Sequence, residues 1–410
     1  MGMKAVVYHG LGDIRLDTVR EPRIKEPTDA IIRLTASAIC GTDLHMVRGT
    51  FPGMRPGTIL GHEGVGIVEE VGKDVRNFKP GDRVVIPSTI GCGNCAYCRQ
   101  GYYAQCDIAN PKGKNAGTAF FGGPELSGPF DGLQAEYARV PFANVNLVRL
   151  PDAIPDDEAI MLSDIIPTAY FGALLAEVGP GDTVAVFGCG PVGQFVIACS
   201  KILGAERVIA IDTIPTRLEM ARKQGAETID FNSADPIEVI HSLTHGLGAY
   251  HVIDAVGVDA NQPHSGPAIP TPEQKKQFAH EQKQVAPVKK EKGGNWHPGD
   301  APSQVAQWAV GSIAKGGTLG IVGVYPQTAT SFPIGAAMEK QLKINMGNCN
   351  HRKYLPELVR FVEAGLLAPS RVLTQHQQLL SAIDAYRAFD ERQPGWIKVE
   401  LVPAKSPVIV

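Results

Sequence analysis

A glycine motif between an apolar run and a helical segment restricts the fold of this chain more than any other feature of its sequence. Residues 184–187 are apolar and predict a buried strand, and the motif G-C-G-P-V-G at 188–193 opens a predicted helix that continues to about Leu203. A second apolar strand, RVIAID, follows and ends on Asp212. This order of strand, glycine turn, helix and acidic strand end is typical of a dinucleotide-binding unit, whose pyrophosphate lies at the helix N-terminus.

The alternation of strands and helices continues after Asp212 and predicts a doubly wound parallel sheet of the Rossmann type. The predicted helices are PTRLEMARKQG, PIEVIHSLTHG and SQVAQWAVGSIAKGG, and the predicted strands are ETIDF, YHVIDAVG and TLGIVGVY. Ligands of such sheets bind at the carboxyl ends of the strands, so Val256 and Val324 are expected to lie along the nicotinamide end of the cofactor. Asp212 is expected to accept hydrogen bonds from the adenosine ribose and to favour NAD over NADP, although Arg217 nearby would suit a 2′-phosphate.

Four of the eight cysteines lie within residues 92–106, at a spacing typical of a metal site. A reducing cytosol disfavours disulfides, so clustered thiols are expected to bind a metal. A tetrahedral zinc ion with four sulfur ligands has no open position, and the cluster therefore predicts a structural zinc rather than a reaction centre. The alternative is a set of free or transiently oxidised thiols. The expected ligands are Cys92, Cys95, Cys98 and Cys106.

Composition and charge predict a globular protein without a general affinity for nucleic acid or membranes. The formal net charge is −3, and the pI is about 6.4. The N-terminal segment turns polar and glycine-rich too early for a signal peptide, and no apolar run is long enough to span a bilayer. The sequence therefore predicts a cytoplasmic protein that binds neither nucleic acid nor membranes, and its length of 410 residues predicts two domains.

A second group of polar residues lies between positions 40 and 63, in CGTDLHMVRGTFPGMRPGTILGHE. Each residue alone has a plain structural explanation, as a core cysteine, a hydrogen-bonded histidine or a turn aspartate. Together they combine thiolate, imidazole and carboxylate groups, which are ligand types that suit zinc. The pattern resembles the zinc-dependent medium-chain alcohol dehydrogenase family, and the resemblance extends over nearly the whole length of the chain.

The resemblance implies a catalytic zinc. Cys40 and His62 match the family's ligand positions in the C-G-T-D-x-x-H and G-H-E segments, and Asp164 of LSDIIPTAYFGA matches the third ligand. Three protein ligands leave a fourth position open, where zinc lowers the pKa of a bound alcohol. The aspartate and the IIPTAY that follows it resemble the glutathione-independent formaldehyde dehydrogenase branch. Glu63 is expected to lie beside the metal.

The same resemblance implies a proton relay and a set of cofactor contacts. The Thr42 hydroxyl would touch the alcohol oxygen and pass its proton through the cofactor ribose to His45, which would exchange it with solvent. The catalytic residues are therefore expected to be Thr42, His45 and Glu63. The residues expected to bind NAD lie on the glycine turn, the strand ends and two helices: Thr168, Gly188, Gly190, Pro191, Val192, Gly193, Asp212, Arg217, Val256 and Val324.

The resemblance also implies how the chain is divided. A β-rich GroES-like catalytic domain would be built from both chain ends, residues 1–165 and 326–410, and would carry one catalytic and one structural zinc ion per subunit. The Rossmann domain would occupy residues 166–325. Its insertion at about 258–302 includes a possible helix over 272–284. The insertion either covers the adenosine half of NAD or is a plain surface insertion.

The sequence therefore predicts a zinc- and NAD-dependent oxidoreductase that acts on a small alcohol or on an aldehyde similar to formaldehyde. The first alternative is a broader primary or secondary alcohol dehydrogenase, or a polyol dehydrogenase, of the same family. The second is a retired enzyme that serves as an NAD-binding structural protein. Such a protein would be expected to have lost zinc ligands or relay residues, yet all of them are present. The resemblance also implies a homodimer or homotetramer.

Overall fold

The structure is a computed structural model that describes residues 2–113, 117–128, 130–286, 296 and 298–404. It contains two compact units. The first comprises Met1–Pro167, Lys290–Trp296 and Cys349–Val410, and the second comprises Thr168–Lys289 and His297–Asn348. Residues 287–295 and 297, which belong to the predicted insertion, lie outside the described residues.

The described residues form strands and α-helices in both units. The strands are β1 (Gly2–Gly10), β2 (Asp13–Arg20), β3 (Ala30–Ile39), β4 (Gly64–Val71), β5 (Arg83–Ile86), β6 (Tyr137–Val140), β7 (Val148–Arg149), β8 (Thr183–Phe187), β9 (Arg207–Asp212), β10 (Glu227–Asp230), β11 (Ala249–Asp254), β12 (Ile313–Ile321), β13 (Lys343–Met346), β14 (Gln375–Gln378) and β15 (Val399–Val402). The helices are α1 (Gly41–Arg48), α2 (Ala96–Arg99), α3 (Ala143–Asn146), α4 (Asp156–Ser163), α5 (Ile165–Leu175), α6 (Pro191–Ile202), α7 (Pro215–Lys223), α8 (Pro236–Leu243), α9 (Pro272–Val285), α10 (Gln304–Ser312), α11 (Ile334–Glu339), α12 (His351–Glu363) and α13 (Ala382–Asp390).

The first unit is built mainly from antiparallel strands. One sheet has the order β14-β15-β3-β4-β5-β7, with β6 also paired to β3, and β1 and β2 form a separate two-stranded sheet. β15 pairs with β3 so that Val399 lies opposite Ile39, and both chain ends therefore contribute to one sheet. Buried apolar side chains of β3, β4 and β5 form a core beneath this sheet: Ile32, Leu34, Val68, Val84 and Ile86.

The second unit contains a six-stranded sheet in the order β10-β9-β8-β11-β12-β13. Every neighbouring pair is parallel, which confirms the predicted Rossmann-type sheet. The strand order reverses beside β8, and such a reversal creates a ligand crevice at the carboxyl ends of the strands. Residues 326–348, predicted to belong to the catalytic domain, lie in this unit because β13 extends the sheet beside β12.

Two glycines after β8 allow the turn into α6. Gly188 has a φ of 90°, in the left-handed region that favours glycine. A Cβ atom at Gly193 would lie 1.8 Å from the Gly188 carbonyl oxygen, so only glycine lets α6 approach the turn this closely. Gly190 is the N-cap of α6 and has no side chain to cap the helix. The first N–H groups of α6 can therefore bind an anion.

The helix predicted over 272–284 within the insertion is present as α9. Thr271 and Gln274 form a reciprocal capping box at its start. Phe278 and Glu281 are buried, and Glu281 accepts hydrogen bonds from the backbone N–H and the hydroxyl of Ser303 at 3.2 and 3.0 Å. α9 is therefore anchored to the start of α10.

Among the described residues, no single helix is both long enough and apolar enough to cross a bilayer. Taken together, α4 and α5 are long and apolar enough, but a bend of 43° separates the two helices. Apolar residues of both helices, such as Ile160, Leu162 and Ile166, are buried within the protein.

Candidate active site

Three short segments of the first unit carry the predicted ligands of the catalytic zinc. Cys40 follows β3 and caps the N-terminus of α1, where Asp43 accepts a hydrogen bond from its backbone N–H at 2.9 Å. His62 and Glu63 immediately precede β4. Asp164 lies at the break between α4 and α5, at φ −140° and ψ −57°. Each residue therefore lies at a strand or helix end, and the flanking element fixes its backbone.

The side chains of these segments converge at one buried point. The ligand atoms of Cys40, His62, Glu63 and Asp164 all lie within 4.8 Å of one another, and all four residues are buried. Asp164 Oδ2 is 3.5 Å from His62 Nε2 and 3.7 Å from Cys40 Sγ. A sulfur, an imidazole nitrogen and carboxylate oxygens are donors that zinc prefers, so these residues fit this ion.

Burial and mutual contacts shift the ionisation of these groups. Burial opposes the charge of Asp164, but hydrogen bonds with His351 and His62 hold its pKa well below the usual range. Burial also opposes a charge on His62, yet Asp43 and Cys40 raise its pKa well above the usual value. The pKa of the Cys40 thiol is raised by burial. Because a coordinating thiol is deprotonated outright, a bound zinc ion would reverse the shift of Cys40.

Glu63 forms a fully buried ion pair with Lys398. Both side chains are 0% exposed, and Lys398 Nζ also donates to the Ile39 carbonyl oxygen at 3.1 Å. Glu63 Oε1 accepts from the lysine, whereas Oε2 has no hydrogen-bond partner among the described residues. Burial raises the pKa of Glu63, and Lys398 opposes that rise. A buried carboxylate oxygen without a partner is costly, and a cation beside it would remove that cost.

A chain of buried polar groups supports His62 on the side away from the cluster. Asp43 Oδ1 lies 3.0 Å from His62 Nδ1, and Gln134 Nε2 donates to Asp43 Oδ2 at 3.2 Å. The Tyr386 hydroxyl donates to Gln134 Oε1 at 2.8 Å. A carboxylate at the second ring nitrogen fixes the orientation of a metal-binding histidine, so this chain directs Nε2 towards the cluster.

Sequence reasoning misses four buried residues that contact or support the cluster: Gln134, His351, Tyr386 and Lys398. Their segments lie far along the chain from the C-G-T-D and G-H-E motifs, so no local spacing connects them with the site. Only Lys398 has a usable signal, because it is a single charged residue in the otherwise apolar segment WIKV.

Thr42 and His45, the predicted relay residues, lie one turn apart on α1. Thr42 is half-buried, whereas His45 is only 4% exposed. His45 Nδ1 lies 2.7 Å from the Thr50 hydroxyl. The exchange of a proton between His45 and solvent would therefore have to continue past Thr50, and the relay itself stays a prediction.

The cysteines of residues 92–106 form a second convergent cluster in the first unit. The sulfur atoms of Cys92, Cys95, Cys98 and Cys106 lie within 4.8 Å of one another. No disulfide joins any of the eight cysteines, all of which lie in the described part of the chain. The backbone N–H groups of Asn94 and Cys95 both donate to Cys92 Sγ at 3.3 Å, and a hydrogen bond from Cys98 lowers the pKa of Cys106 to about 4. Four convergent sulfurs with such donors fit a structural zinc.

The second unit holds the residues predicted to bind the dinucleotide. Asp212 ends β9, and its carboxylate accepts the backbone N–H groups of Cys189 and Thr213, each at 2.7 Å. Asp212 therefore lies against the glycine turn, as the dinucleotide fingerprint requires. Arg217 Nη1 is 3.9 Å from Asp212 Oδ2 and partly offsets its negative charge. Thr168 lies in α5.

The loops after β11 and β12 meet at the carboxyl end of the sheet. Gly257 and Val324 are joined by a parallel bridge. The buried Asp254 accepts the backbone N–H of Val256 at 2.8 Å and the hydroxyl of Tyr325 at 2.7 Å. Asp254 and Tyr325, which sequence reasoning does not single out, therefore fix the two loops that carry Val256 and Val324.

The chain is similar to known proteins in its domains, in its whole sequence and in its structure. Residues 26–152 match the alcohol dehydrogenase GroES-like domain, and residues 191–265 match the zinc-binding dehydrogenase domain. The uncharacterized zinc-type alcohol dehydrogenase-like protein AdhB of Bacillus subtilis (strain 168) is 36% identical over 405 residues, which cover 98% of this chain and 100% of that protein. The glutathione-independent formaldehyde dehydrogenase of Pseudomonas aeruginosa (strain LESB58) is 35% identical over 362 residues, which cover 84% of this chain and 81% of that protein. The solved structure of the alcohol dehydrogenase TADH from Thermus sp. ATN1 matches with a TM-score of 0.80 and 33% identity, covering 98% of this chain and 100% of that chain.

These matches confirm the predicted α/β fold class, with a Rossmann-type sheet and a GroES-like domain. They agree with the buried clusters of zinc-type ligands in the first unit. The match to AdhB extends over almost the whole chain, so the relationship is not limited to one domain. The chain therefore belongs to the zinc-dependent medium-chain alcohol dehydrogenase family and is an alcohol oxidoreductase.

Proposed function

We propose that the protein transfers hydride between NAD and a small alcohol or aldehyde, and that formaldehyde-like substrates are preferred. The observation that carries this proposal is the buried convergence of Cys40, His62 and Asp164 beside the unpartnered Oε2 of Glu63. The 35% identity to a glutathione-independent formaldehyde dehydrogenase supports the substrate class.

In this proposal Cys40, His62 and Asp164 hold the catalytic zinc, and a fourth position stays open for the substrate oxygen. When bound, the catalytic zinc supplies a Lewis acid that favours ionisation of an alcohol and polarises a carbonyl. Glu63 adds negative charge beside the metal and is held in place by Lys398. The structural zinc is held by the second cluster: Cys92, Cys95, Cys98 and Cys106.

We also propose that Thr42 and His45 move the proton of the alcohol. The Thr42 hydroxyl can accept this proton while donating its own, which suits a relay. A histidine such as His45 is suited to take the proton at neutral pH, because imidazole can bind and release a proton in this range. The hydroxyl of Thr50, at 2.7 Å from His45 Nδ1, provides the next hydrogen bond of the path.

The cofactor is proposed to be NAD, bound by the second unit. The glycine turn and the N-terminus of α6 would receive the pyrophosphate, through residues 188–193. Asp212 would accept the ribose hydroxyls and repel the 2′-phosphate of NADP. Thr168, Arg217, Val256 and Val324 complete the proposed contacts. The proximity of Arg217 to Asp212 makes a comparison of NAD with NADP part of the test.

The insertion is proposed to cover the adenosine half of NAD. The His264 backbone N–H donates to Asn232 Oδ1 at 2.8 Å, and the Ser265 hydroxyl donates to the Asn232 carbonyl at 2.7 Å. Asn232 follows β10, and it also donates to Thr213, the residue after Asp212, at 2.6 Å. These contacts bring the start of the insertion near the strand end where the ribose would bind, and they favour this role over a plain surface insertion.

The first unit is proposed to act as the catalytic domain and the second as the NAD-binding domain. We also propose a cytoplasmic homodimer that joins through β13, since this strand is the edge of the parallel sheet and has β12 as its one neighbour in the described sheet order. Exposed apolar residues of α11 and β13 would be covered in such a dimer: Ile334, Met338 and Met346.

A broader primary or secondary alcohol dehydrogenase is the second candidate function. Phe120 lies edge-on to His62 and to Phe51, with ring centroids 6.4 and 6.0 Å apart. This aromatic wall beside the cluster suits small or apolar alcohols and disfavours polyols, because it offers few partners for extra hydroxyls. The complete set of ligands and relay residues disfavours a retired enzyme.

The test measures the reduced cofactor formed by purified, zinc-loaded protein, which is NADH from NAD and NADPH from NADP. The substrates are formaldehyde, simple primary and secondary alcohols and polyols, each with either cofactor. We expect the smallest substrates with NAD to be turned over fastest. Thr42→Val should lower kcat by about 100-fold or more, because the proton loses its acceptor, whereas Thr42→Ser keeps the hydroxyl and most of the activity.

Failure of all these substrates would contradict the proposed function. If NADP were used as well as NAD, only the proposed role of Asp212 would be contradicted. Faster turnover of longer alcohols would favour the second candidate function. Equal activities of Thr42→Val and Thr42→Ser would contradict the proton relay, but they would not contradict the proposed zinc ligands.

A further inference from the structure

His351 is a buried histidine next to the ligand cluster that has no role in the function proposed above. It is the first residue of α12. Its Nε2 lies 2.7 Å from Asp164 Oδ1, and its Nδ1 lies 3.0 Å from the Thr89 hydroxyl. The Thr89 hydroxyl also bonds to the Cys349 carbonyl oxygen at 3.2 Å. Because an ionised carboxylate can only accept, Nε2 of His351 carries the proton in its contact with Asp164.

Asp164 divides its two carboxylate oxygens between different partners. Oδ2 faces the cluster, 3.5 Å from His62 Nε2 and 3.7 Å from Cys40 Sγ. Oδ1 accepts from His351. The described ligand atoms that converge within 4.8 Å come from Cys40, His62, Glu63 and Asp164, so His351 stands outside the set that could bind one ion.

The partners of the two Asp164 oxygens restrict how its carboxylate can bind a metal. A free carboxylate can bind a metal through one oxygen or through both, and it can rotate between the two modes. A hydrogen bond donated to Oδ1 favours binding of the metal through Oδ2 and restrains the rotation of the carboxylate. It also draws negative charge towards Oδ1, which leaves a bound zinc ion a stronger Lewis acid. Groups that orient a ligand in this way typically change metal affinity by about 10- to 100-fold when they are removed.

We propose that His351 is a positioning residue for the catalytic zinc, which holds Asp164 as a ligand through Oδ2 alone. This inference rests on the proposed function, in which Asp164 is a zinc ligand. The alternative is a structural role, in which His351 only connects α12 to the break between α4 and α5. In that case its replacement would not change metal binding.

Two polar substitutions separate these roles. In His351→Gln the amide nitrogen takes the place of imidazole Nε2 and can still donate to Asp164. In His351→Asn the amide nitrogen takes the place of Nδ1, so the contact with Thr89 can remain while the contact with Asp164 is lost. His376→Gln is the control, because His376 Nδ1 also pairs with a carboxylate, Glu400 Oε2 at 2.7 Å, away from the cluster, and the longer amide does not replace Nδ1.

The measurements are the rate of zinc transfer from the intact protein to the chelator 4-(2-pyridylazo)resorcinol and the visible spectrum of the cobalt-substituted protein. We expect His351→Asn to release one of its two zinc ions about 10- to 100-fold faster than the wild type and to show shifted cobalt bands. His351→Gln should stay close to the wild type in both, and His376→Gln should be unchanged.

Equal zinc release and equal cobalt spectra in His351→Asn and His351→Gln would overturn the proposal. A lower melting temperature in both variants with wild-type metal behaviour would assign His351 a structural role and would also overturn it. A wild-type protein that binds only one zinc ion would instead contradict the proposed function, so the two failures can be told apart.

Discussion

The ion pair of Lys398 and Glu63 isolates two charges from water, so each charge depends on the other for compensation. Both side chains are wholly buried, and one oxygen of Glu63 lacks a partner in the described structure. Lys398→Met would leave the Glu63 carboxylate buried without its cation. We expect the free energy of unfolding, measured by urea denaturation at pH 7, to fall by about 3–5 kcal/mol, because removal of one partner of a buried pair is strongly destabilising.

A second substitution distinguishes the loss of charge compensation from the loss of packing. In Lys398→Met with Glu63→Gln neither charge remains, so we expect much of the stability to return. Lys223→Met is the control, since Lys223 pairs with Glu219 at 3.7 Å on the exposed face of α7. That change should alter the free energy of unfolding by less than about 1 kcal/mol. A double variant as unstable as Lys398→Met would show that packing of the lysine stem, rather than its charge, stabilises the site.

Residues of the site differ in how far the sequence predicts them. Cys40, His62 and Asp164 lie in recognisable motifs, and the four cysteines have a spacing that indicates a metal without any family knowledge. His351 and Lys398 contact the site only because distant segments fold back onto it, so no local spacing predicts these contacts. Charges without a local partner, such as Lys398, are the signal that a sequence offers for such contacts.

Asp82 connects two strands of the first unit. It precedes β5 and accepts two hydrogen bonds from Arg149 of β7, at 2.6 and 2.9 Å. The Lys79 backbone N–H also donates to it at 3.0 Å and closes the turn before β5. The hydrogen bonds from Arg149 are the main reason why the pKa of Asp82 is lowered in the folded protein.

The lowered pKa predicts a dependence of stability on pH. Because the folded pKa of Asp82 lies below the unfolded value of about 3.9, its contribution is complete above that value and is lost as the pH falls through the folded pKa. Asp82→Asn should therefore lower the free energy of unfolding by about 1 kcal/mol at pH 7, since Arg149 is exposed to solvent. The difference from the wild type should shrink in urea titrations as the pH falls below about 4 towards the folded pKa.

Asp152→Asn is the control for this pH series, because Asp152 is an exposed carboxylate on the loop after β7. It should follow the wild type at every pH. A difference between Asp82→Asn and the wild type that stays constant from pH 7 to pH 3 would show that Asp82 contributes through its turn geometry and not through its charge.

The two units of the molecule differ in how well the sequence predicts them. In the second unit each strand is followed by a helix, and local alternation is enough to predict a parallel sheet. In the first unit β15 pairs with β3 across most of the chain, which no local pattern indicates. The end of the second unit has the same kind of cause, because the pairing of β13 with β12 cannot be derived from the short segment LKINM.

The exposed edge of the parallel sheet predicts the oligomeric state. β13 has an unpaired edge in the described sheet order, and Met346 on it is 62% exposed, while Met338 on α11 is 82% exposed. Such an edge is a template for pairing, and a twofold dimer would join the same strand of two copies. We expect light scattering to give twice the chain mass of 43.8 kDa.

Charged residues at this edge would oppose its pairing with a second copy. Met338→Glu with Met346→Lys should therefore give the mass of one chain, with both zinc ions retained because the ligand clusters lie in the first unit. Leu247→Lys is the matched control, since Leu247 is also 62% exposed and lies between α8 and β11; it should leave the mass of the assembly unchanged. If the double variant remained a dimer while the control behaved like the wild type, the contact would lie elsewhere, and the exposed apolar side chains of α11 and β13 would need another partner.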